Sequence, residues 1–439
     1  MSLKFIFKKK YGVTVPHYKN TQNSKVTDMP IPNAVTIPML QHIGEECIPL
    51  VKIGDHVLAG QKIGDIDKTF SSPVHSSVSG KVTDISDIFL PGGKEVKAVT
   101  IKSDEVQETI PFSLPEFDDI SDFPVVLRES GLVGLGGSGF PTHIKLNPEN
   151  KTKIDTLLIN AAECEPFITT DHRECIDNTE NIFNGIIEVC KIFEIRRAII
   201  AIEDNKPDAI AHLSNYISKN SNPYCIITLK VLKSLYPKGA EKILILETCG
   251  RIVPRGKLPL SVGVIVMNVS SIAFLSQYLK TGIPLLKKNI TVDGSAIWQP
   301  KNVSVYIGTP IKEVIDFCGG YKQPPGKILM GGPMMGITIY NDSTPVLKQN
   351  NAILAFNEED SALPESSSCI HCGRCLKVCP MNLLPLEIER SILAEDISSL
   401  KKLAADNCME CGCCSYTCPA SRPLVQSIRI AKNKLKQVK

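Results

Sequence analysis

Cys369-Ile-His-Cys372-Gly-Arg-Cys375-Leu-Lys-Val-Cys379-Pro380 is answered downstream by Cys408-Met-Glu-Cys411-Gly-Cys413-Cys414-Ser-Tyr-Thr-Cys418-Pro419. The chain has 16 cysteines, and nine of them fall between Cys369 and Cys418. Cysteine crowded into one stretch reads as a metal module, whereas a disulfide scaffold spreads it through a short secreted chain. Each run has the spacing C-x2-C-x2-C-x3-C-P, the signature of a [4Fe–4S] cluster whose fourth cysteine crosses to the other cluster. Three closely spaced thiolates wrap three irons of a cube. Crossing predicts one cluster on Cys369, Cys372, Cys375 and Cys418, and a second on Cys408, Cys411, Cys414 and Cys379. Zinc sites come as pairs of C-x2-C across a longer loop, which these runs do not match. Cys413 is left over and reads as an inert buried thiol. The other seven cysteines, 47, 164, 175, 190, 225, 249 and 318, show no metal spacing and read as small core residues. A pair of clusters is a one-electron relay.

The rest of the composition bounds what surrounds this module. At 439 residues the chain has room for two to four domains, and 43% apolar residues suffice for packed cores. Lys+Arg is 49 and Asp+Glu is 46, with aromatics at 6%. That balance argues against nucleic acid as a partner, which needs a concentrated basic footprint. In the first residues, MSLKFIFKKKYG, the basic residues follow the apolar ones, the reverse of a signal peptide, so the chain is expected to be unexported and reduced. Leu258 to Leu279 is 22 residues without a charge, long enough to span a bilayer. Its Pro259, Gly263, Asn268 and serines instead predict a buried strand at Val262–Met267, a turn at Asn268 and a helix through Tyr278.

Upstream, residues 30–103 read as β-structure, with Gly54-Asp55 and Gly60 punctuating short alternating runs. Pro-rich, acidic residues 108–124 read as a linker. Strands at Thr156–Asn160, Arg197–Ile202 and Cys225–Val231 then alternate with helices at Asn178–Phe193, Pro207–Lys219 and Gly239–Glu247. That alternation implies a layered α/β domain with a mainly parallel sheet. Residues 283–357 switch to a small α+β pattern: strands at Asn289–Gly294 and Asn302–Gly308, a helix at Ile311–Phe317, and a glycine corner at Gly331–Gly336. A basic helix, Ile428–Lys439, closes the chain.

Two segments carry further chemistry. Gly131-Leu-Val-Gly134-Leu-Gly136-Gly137-Ser-Gly139-Phe140-Pro141 has five glycines in nine residues. Gly134, Gly136 and Gly139 satisfy G-x-G-x-x-G, but a helix end precedes the loop and Pro141 follows it, unlike a dinucleotide fingerprint. The loop is either a backbone cradle for phosphate, with Lys145 as its cation, or a plain flexible connection. Asn160-Ala-Ala-Glu163-Cys-Glu165-Pro166 follows a strand, where ligands gather in α/β sheets. Its acids either accept hydrogen bonds from ribose hydroxyls or sit on a solvated loop.

Glycine loop, NAAECEP and twin-cluster tail together resemble the C subunits of Rnf ion-translocating electron-transport complexes. The likeness runs from IPMLQHIGEEC and VKIGDHVLAGQ through GLVGLGGSGFPTHIK and NAAECEP to both cysteine runs. The N-terminal part resembles a biotinyl/lipoyl-type barrel-sandwich hybrid, with Lys68 near the position such domains modify; an unmodified turn lysine is the plainer reading. The centre resembles the flavin-bearing, NADH-oxidising subunit of respiratory complex I, and residues 283–340 resemble a soluble-ligand-binding β-grasp domain. The implied fold is multidomain α/β plus α+β: a barrel-sandwich domain at 1–107, the linker at 108–124, an α/β FMN/NADH domain at 125–282, an SLBB-like β-grasp domain at 283–357, and a ferredoxin-like helical module with two [4Fe–4S] clusters at 358–439.

The resemblance also implies site residues. Gly134, Gly136, Gly137 and Gly139 would cradle FMN and NADH phosphates, with Lys145 beside them. Phe140 would lie near the adenine, and Asn160 and Glu163 by the flavin and nicotinamide. Glu165 would lie near a ribose, which makes Glu163 and Glu165 the implied catalytic acids. Tyr236, Gly239 and Glu241 resemble a Y-x-x-G-E-E segment beside the flavin, and Asn268 an FMN-binding asparagine. Ala162 and Ala240 stand where complex I has acids. By the same resemblance, non-covalent FMN and NADH/NAD+ join the two clusters as cofactors. The partners are other Rnf membrane and iron–sulfur subunits and, indirectly, ferredoxin. The place is the cytoplasmic face of the bacterial membrane, peripherally, in ferredoxin:NAD+ oxidoreduction coupled to Na+ or H+ translocation. Two rival readings are a soluble cobalamin reductase sharing the flavin loop and clusters, and an electron-relay adaptor without a nucleotide site.

Overall fold

The computed structural model describes residues 11–68, 70–147 and 154–437. The expectation drawn from the first ten residues, and the extreme end of the basic tail, lie outside them.

Residues 11–28 do not join the barrel that follows. They run as a strap across the centre of the molecule, and β1 (Val26–Asp28) pairs in parallel with Asn302–Ser304 of a distant strand. The barrel-sandwich unit begins after it. Strands β2 (Ala34–Pro38), β3 (Ile48–Pro49), β4 (His56–Val57), β5 (Lys62–Asp65), β6 (Val74–His75), β7 (Gly80–Phe89) and β8 (Glu95–Ser103) form two sheets, β2-β8-β7-β4 and β3-β5-β6. Alternation puts Val35, Ile37, Val82 and Ile101 between the sheets with Ile63 and Val74. Each such side chain contributes roughly 1.5–3 kcal/mol by leaving water. Lys68 lies exposed in the turn after β5.

The α/β domain opens with α1 (Phe123–Glu129), which ends at Gly131 in the left-handed region (φ 67°), and α2 (Thr142–Lys145). The order is then β9 (Thr156–Ala161), α3 (Thr170–Asp177), α4 (Thr179–Ile192), β10 (Arg197–Glu203), α5 (Pro207–Lys219), β11 (Ile226–Leu232), α6 (Glu241–Cys249), β12 (Val264–Asn268) and α7 (Val269–Thr281). The sheet order is β11-β10-β9-β12 and every pair is parallel. Strands covered on both faces read as apolar runs, which is why Leu157, Leu158 and Ile159 are all buried. The chain steps outward from β9 to β11 and then returns to the other side of β9. That reversal puts the topological switch between β9 and β12, where Asn160, next to last in β9, and Asn268, last in β12, are direct partners. The uncharged stretch 258–279 is a short 3-10 turn, β12 and α7, and no helix of the described residues is long and apolar enough to cross a membrane.

The third unit comprises β13 (Lys287–Asp293), β14 (Lys301–Tyr306), α8 (Ile311–Phe317), β15 (Lys327–Met330), β16 (Ile337–Thr338) and β17 (Ala352–Phe356). With β1 these make a six-stranded sheet in the order β1-β14-β13-β17-β15-β16. After α9 (Glu358–Ser361), the cysteine module folds as α10 (Arg374–Val378), α11 (Pro385–Leu393), α12 (Ile397–Lys402), α13 (Cys413–Tyr416) and α14 (Leu424–Gln437). Ile388, Leu400, Leu424, Ile428 and Leu435 form its core.

Candidate functional site

A cavity of about 450 Å³ opens at the β9–β12 switch point. Asn160 is the next-to-last residue of β9, and its side chain donates to Gly239 O at 2.8 Å while accepting from Ala162 N. Asn268 caps α7: Oδ1 accepts from Ser270 N (3.0 Å) and Ser271 N (3.3 Å), and Nδ2 donates to Asp171 Oδ2 at 2.7 Å. The glycine loop forms the rim. Phe140 O and Gly134 O hold the loop closed through Gly134 N and Gly139 N, and Leu135 N donates to Ser271 Oγ. Gly136, Gly137 and Ser138 are exposed, and their N–H groups have no partner among the described residues. Successive unpaired N–H groups are an anion-binding concavity. Gly136 is required at its position, because a Cβ would come 2.8 Å from Asn268 Nδ2.

Of the expected cofactor residues, Gly134, Gly136, Phe140, Lys145, Asn160, Tyr236, Gly239, Glu241 and Asn268 line this cavity, together with Glu163 and Glu165. Gly137 and Gly139 do not line its wall. Gly137 adopts φ 108° with open space where a Cβ would stand, and Gly139 turns toward Gln349. The expected phosphate cation is not free either. Lys145 Nζ donates to Glu241 Oε1 and to Val266 O, both at 2.9 Å, so its charge is balanced across the cavity wall.

The two acids of NAAECEP line the cavity, and each also accepts from backbone N–H groups. Glu163, with φ 48°, turns its carboxylate onto the first amides of α3: Oε1 accepts from Asp171 N at 2.6 Å and Oε2 from His172 N at 3.2 Å. Glu165 turns the other way and accepts from Met334 N at 3.0 Å and Met335 N at 2.9 Å. It fills the space beside Gly332, where a Cβ would come within 2.3 Å of its Oε2. Burial pushes both carboxyls up to about 7. They position backbone, Glu163 for α3 and Glu165 for the Gly331–Gly336 corner.

Sequence reading missed Lys19. The strap carries it under the NAAECEP loop, where Nζ donates to Glu163 O (2.9 Å), Glu165 O (2.9 Å) and Ile168 O (2.5 Å), with the Glu163 carboxylate at 3.9 Å. The same strap bridges Val13 to Tyr236, and Gly12 N donates to Val378 O in the cysteine module. No local signal marks Lys19, because its partners lie 144 to 149 residues away.

The cysteines fall into the crossed sets. Cys369, Cys372, Cys375 and Cys418 line one cavity of about 160 Å³, and Cys379, Cys408, Cys411 and Cys414, together with Cys413, line a much smaller one of about 20 Å³. Among the described residues no three ligand-type side chains close on a single-ion site. Each set instead converges on a shared space. The second set adjoins the main cavity: Cys411 and Cys413 pack with Tyr236, Val13 and Val15, and against Cys164 and Met334. The first set faces outward, with Cys372 exposed beside exposed Ile370 and Leu384. Cys413 is buried and has the Tyr236 carbonyl at 4.0 Å.

Comparison with known proteins agrees with this layout. Residues 7–106 match the RnfC barrel sandwich hybrid domain, 127–277 the Nuo51 FMN-binding domain, 289–338 the SLBB domain and 368–421 the 4Fe-4S dicluster domain. The C subunit of the proton-translocating ferredoxin:NAD(+) oxidoreductase complex of Clostridium ljungdahlii is 41% identical over 84% of this chain and 80% of its own length. Its Na(+)-translocating counterpart from Acetobacterium woodii is also 41% identical, over 92% of this chain and 91% of its own. The chain belongs to the family of C subunits of ion-translocating ferredoxin:NAD+ oxidoreductase (Rnf) complexes. The C subunit of an ion-translocating oxidoreductase complex of Rhodobacter capsulatus follows at 37% over 96% of this chain and 82% of its own. As a family member the chain is one component of a multi-subunit oxidoreductase, with a flavin domain and a dicluster domain.

Proposed function

We propose that this chain is the nicotinamide-side electron module of an Rnf complex, exchanging electrons between NADH/NAD+, non-covalent FMN and two [4Fe–4S] clusters. FMN supplies the conversion between the two electrons of a hydride and the single electrons of a cluster. The cavity residues fit that group. The N–H groups of residues 136–138 suit its phosphate, the Asn160 amide is held at the strand end, and Ile144, Leu260 and Val266 give an apolar wall that excludes water. Glu163 and Glu165 act as positioning residues, as their backbone contacts support. Lys145 and Glu241 form a paired rim, so phosphate neutralisation falls mainly to backbone N–H groups.

The observation that carries the reading is the shared wall: Tyr236 lines the cavity and packs on Cys411 and Cys413. That contact argues for an order. The Cys379/Cys408/Cys411/Cys414 cluster takes the place next to the flavin, and the Cys369/Cys372/Cys375/Cys418 cluster hands electrons to a partner at the exposed face. On this reading the partners are the membrane and iron–sulfur subunits of the complex, with ferredoxin beyond them. The chain sits peripherally at the cytoplasmic face, and electron flow drives Na+ or H+ translocation. A relay adaptor without a nucleotide site has no use for the unpaired 136–138 cradle. Anaerobic absorption and EPR of the purified chain, with iron and flavin quantified, test the proposal. NADH should bleach FMN and raise two [4Fe–4S] signals; clusters that reduce with dithionite but never with NADH plus added FMN overturn it.

A further inference from the structure

A second cavity, of about 410 Å³, lies behind the first, between α3, Asn178 and α7 on one side and β13 and β14 on the other. The N-terminus of α7 separates the two: Asn268 lines the flavin-type cavity and Ser270 lines this one. Two of its wall groups are unsatisfied. Lys288 on β13 is 4% exposed, and its ammonium has no hydrogen bond and no carboxylate within ion-pair range among the described residues. Gln107 reaches in from the end of the barrel unit. Its Nε2 donates to Ser77 O at 2.9 Å, which fixes the amide orientation and leaves Oε1 buried without a donor. Glu174 is on the same wall, hydrogen-bonded to Asn178 and Asn289 and near enough to Lys288 to act on it through its charge, though not within ion-pair distance.

A buried cation without a direct partner and a buried acceptor without a donor are each costly to a fold, the charge more than the neutral group. Their presence on one polar cavity wall describes a complement. We propose that this cavity binds a small metabolite carrying an oxyanion, either a carboxylate or a phosphate monoester, together with a hydroxyl or amino donor. The oxyanion sits on Lys288 Nζ and the donor on Gln107 Oε1. Burial holds the Lys288 ammonium below its ordinary value, against the pull of Asp171, Glu174 and Glu163, and no carboxylate pairs with it directly, so an arriving anion meets an unpaired cation. The site is independent of the flavin reading, since none of these groups belongs to the main cavity.

The test is calorimetric titration of the full chain, clusters and flavin loaded, with four probes. Glycerol 3-phosphate and lactate carry both groups; methyl phosphate and acetate carry the oxyanion alone. One hydroxylated probe should bind at least 10-fold more tightly than its partner without a hydroxyl, and the winning pair says whether phosphate or carboxylate is the natural class. Lys288→Met should weaken that probe at least 30-fold. Gln107→Leu should erase the hydroxyl preference while leaving the oxyanion-only probe unchanged. Failure of all four probes to bind overturns the proposal, as does binding indifferent to Lys288→Met, which would place the anion elsewhere. If Lys288→Met does not fold, a hydroxyl preference that survives Gln107→Leu overturns it by itself.

Discussion

Replacing Lys19 by methionine keeps the side chain's length and removes its charge. In the structure the ammonium donates to three carbonyls of the 163–168 loop and faces the Glu163 carboxylate. Hydrogen bonds involving a charged group contribute roughly 1.5–3 kcal/mol each, so three sum nominally to about 5–9 kcal/mol. Desolvation works against them: burial lowers the Lys19 ammonium from 10.5 to about 8 despite Glu163. That shift corresponds to an offset on the order of 3 kcal/mol. The net loss expected for Lys19→Met is therefore about 3 kcal/mol, borne locally by the loop and the α3 N-terminus that Glu163 caps. Hydrogen exchange reads it directly, at the Asp171 and His172 amides that donate to Glu163. About 3 kcal/mol is roughly a 100-fold gain in local opening. FMN affinity should fall with it, while exposed Lys25→Met serves as a control that changes neither. If the Asp171 and His172 amides of folded Lys19→Met exchange within threefold of the parent, the strap does not hold this loop and the reasoning fails.

The other outcomes follow from named contacts. Gly332→Ala should expel the Glu165 carboxylate, since its Cβ would fall 2.3 Å from Oε2, and destabilise the chain by about 2–4 kcal/mol, readable as a lower urea midpoint. Gly136→Ala should dislodge Asn268 from its cap and weaken flavin binding at least 10-fold by fluorescence titration, with iron content unchanged. Cys418→Ser should remove the EPR signal of the outer cluster and leave the inner one reducible by NADH. Cys379→Ser should abolish the inner signal and, with it, NADH reduction of the outer; the reverse pattern would refute the crossing. Glu174, pushed up to about 7 by burial from 4.5, holds its proton longer folded than unfolded. Its contribution to stability is therefore present below about pH 4.5 and lost as pH rises to about 7. Urea midpoints between pH 5 and 7.5 should show that fall, shared with Glu163 and Glu165, and Glu174→Gln should make it shallower.

What the sequence determined by itself was what local spacing encodes. Cysteine spacing named the clusters and paired them in the crossed sets that the two cavities display, because wrapping a cube is a short-range constraint on the backbone. Helix α5 and helix α8 were legible to the residue, Pro207–Lys219 and Ile311–Phe317, from a proline start and apolar periodicity. The Leu258–Leu279 stretch resolved into strand and helix because Asn268 is a capping residue. Tertiary structure decided the roles of the polar groups. From sequence, Glu163 and Glu165 looked alike; folding sends one to α3 and the other to the Gly331–Gly336 corner, and a carboxylate's role depends on which amides it meets. Lys145 looked like a free cation until Glu241, far along the chain, took its charge. Lys19 and Lys288 carry no motif at all. A buried charge is defined by its surroundings, and those are assembled from segments that no local pattern relates.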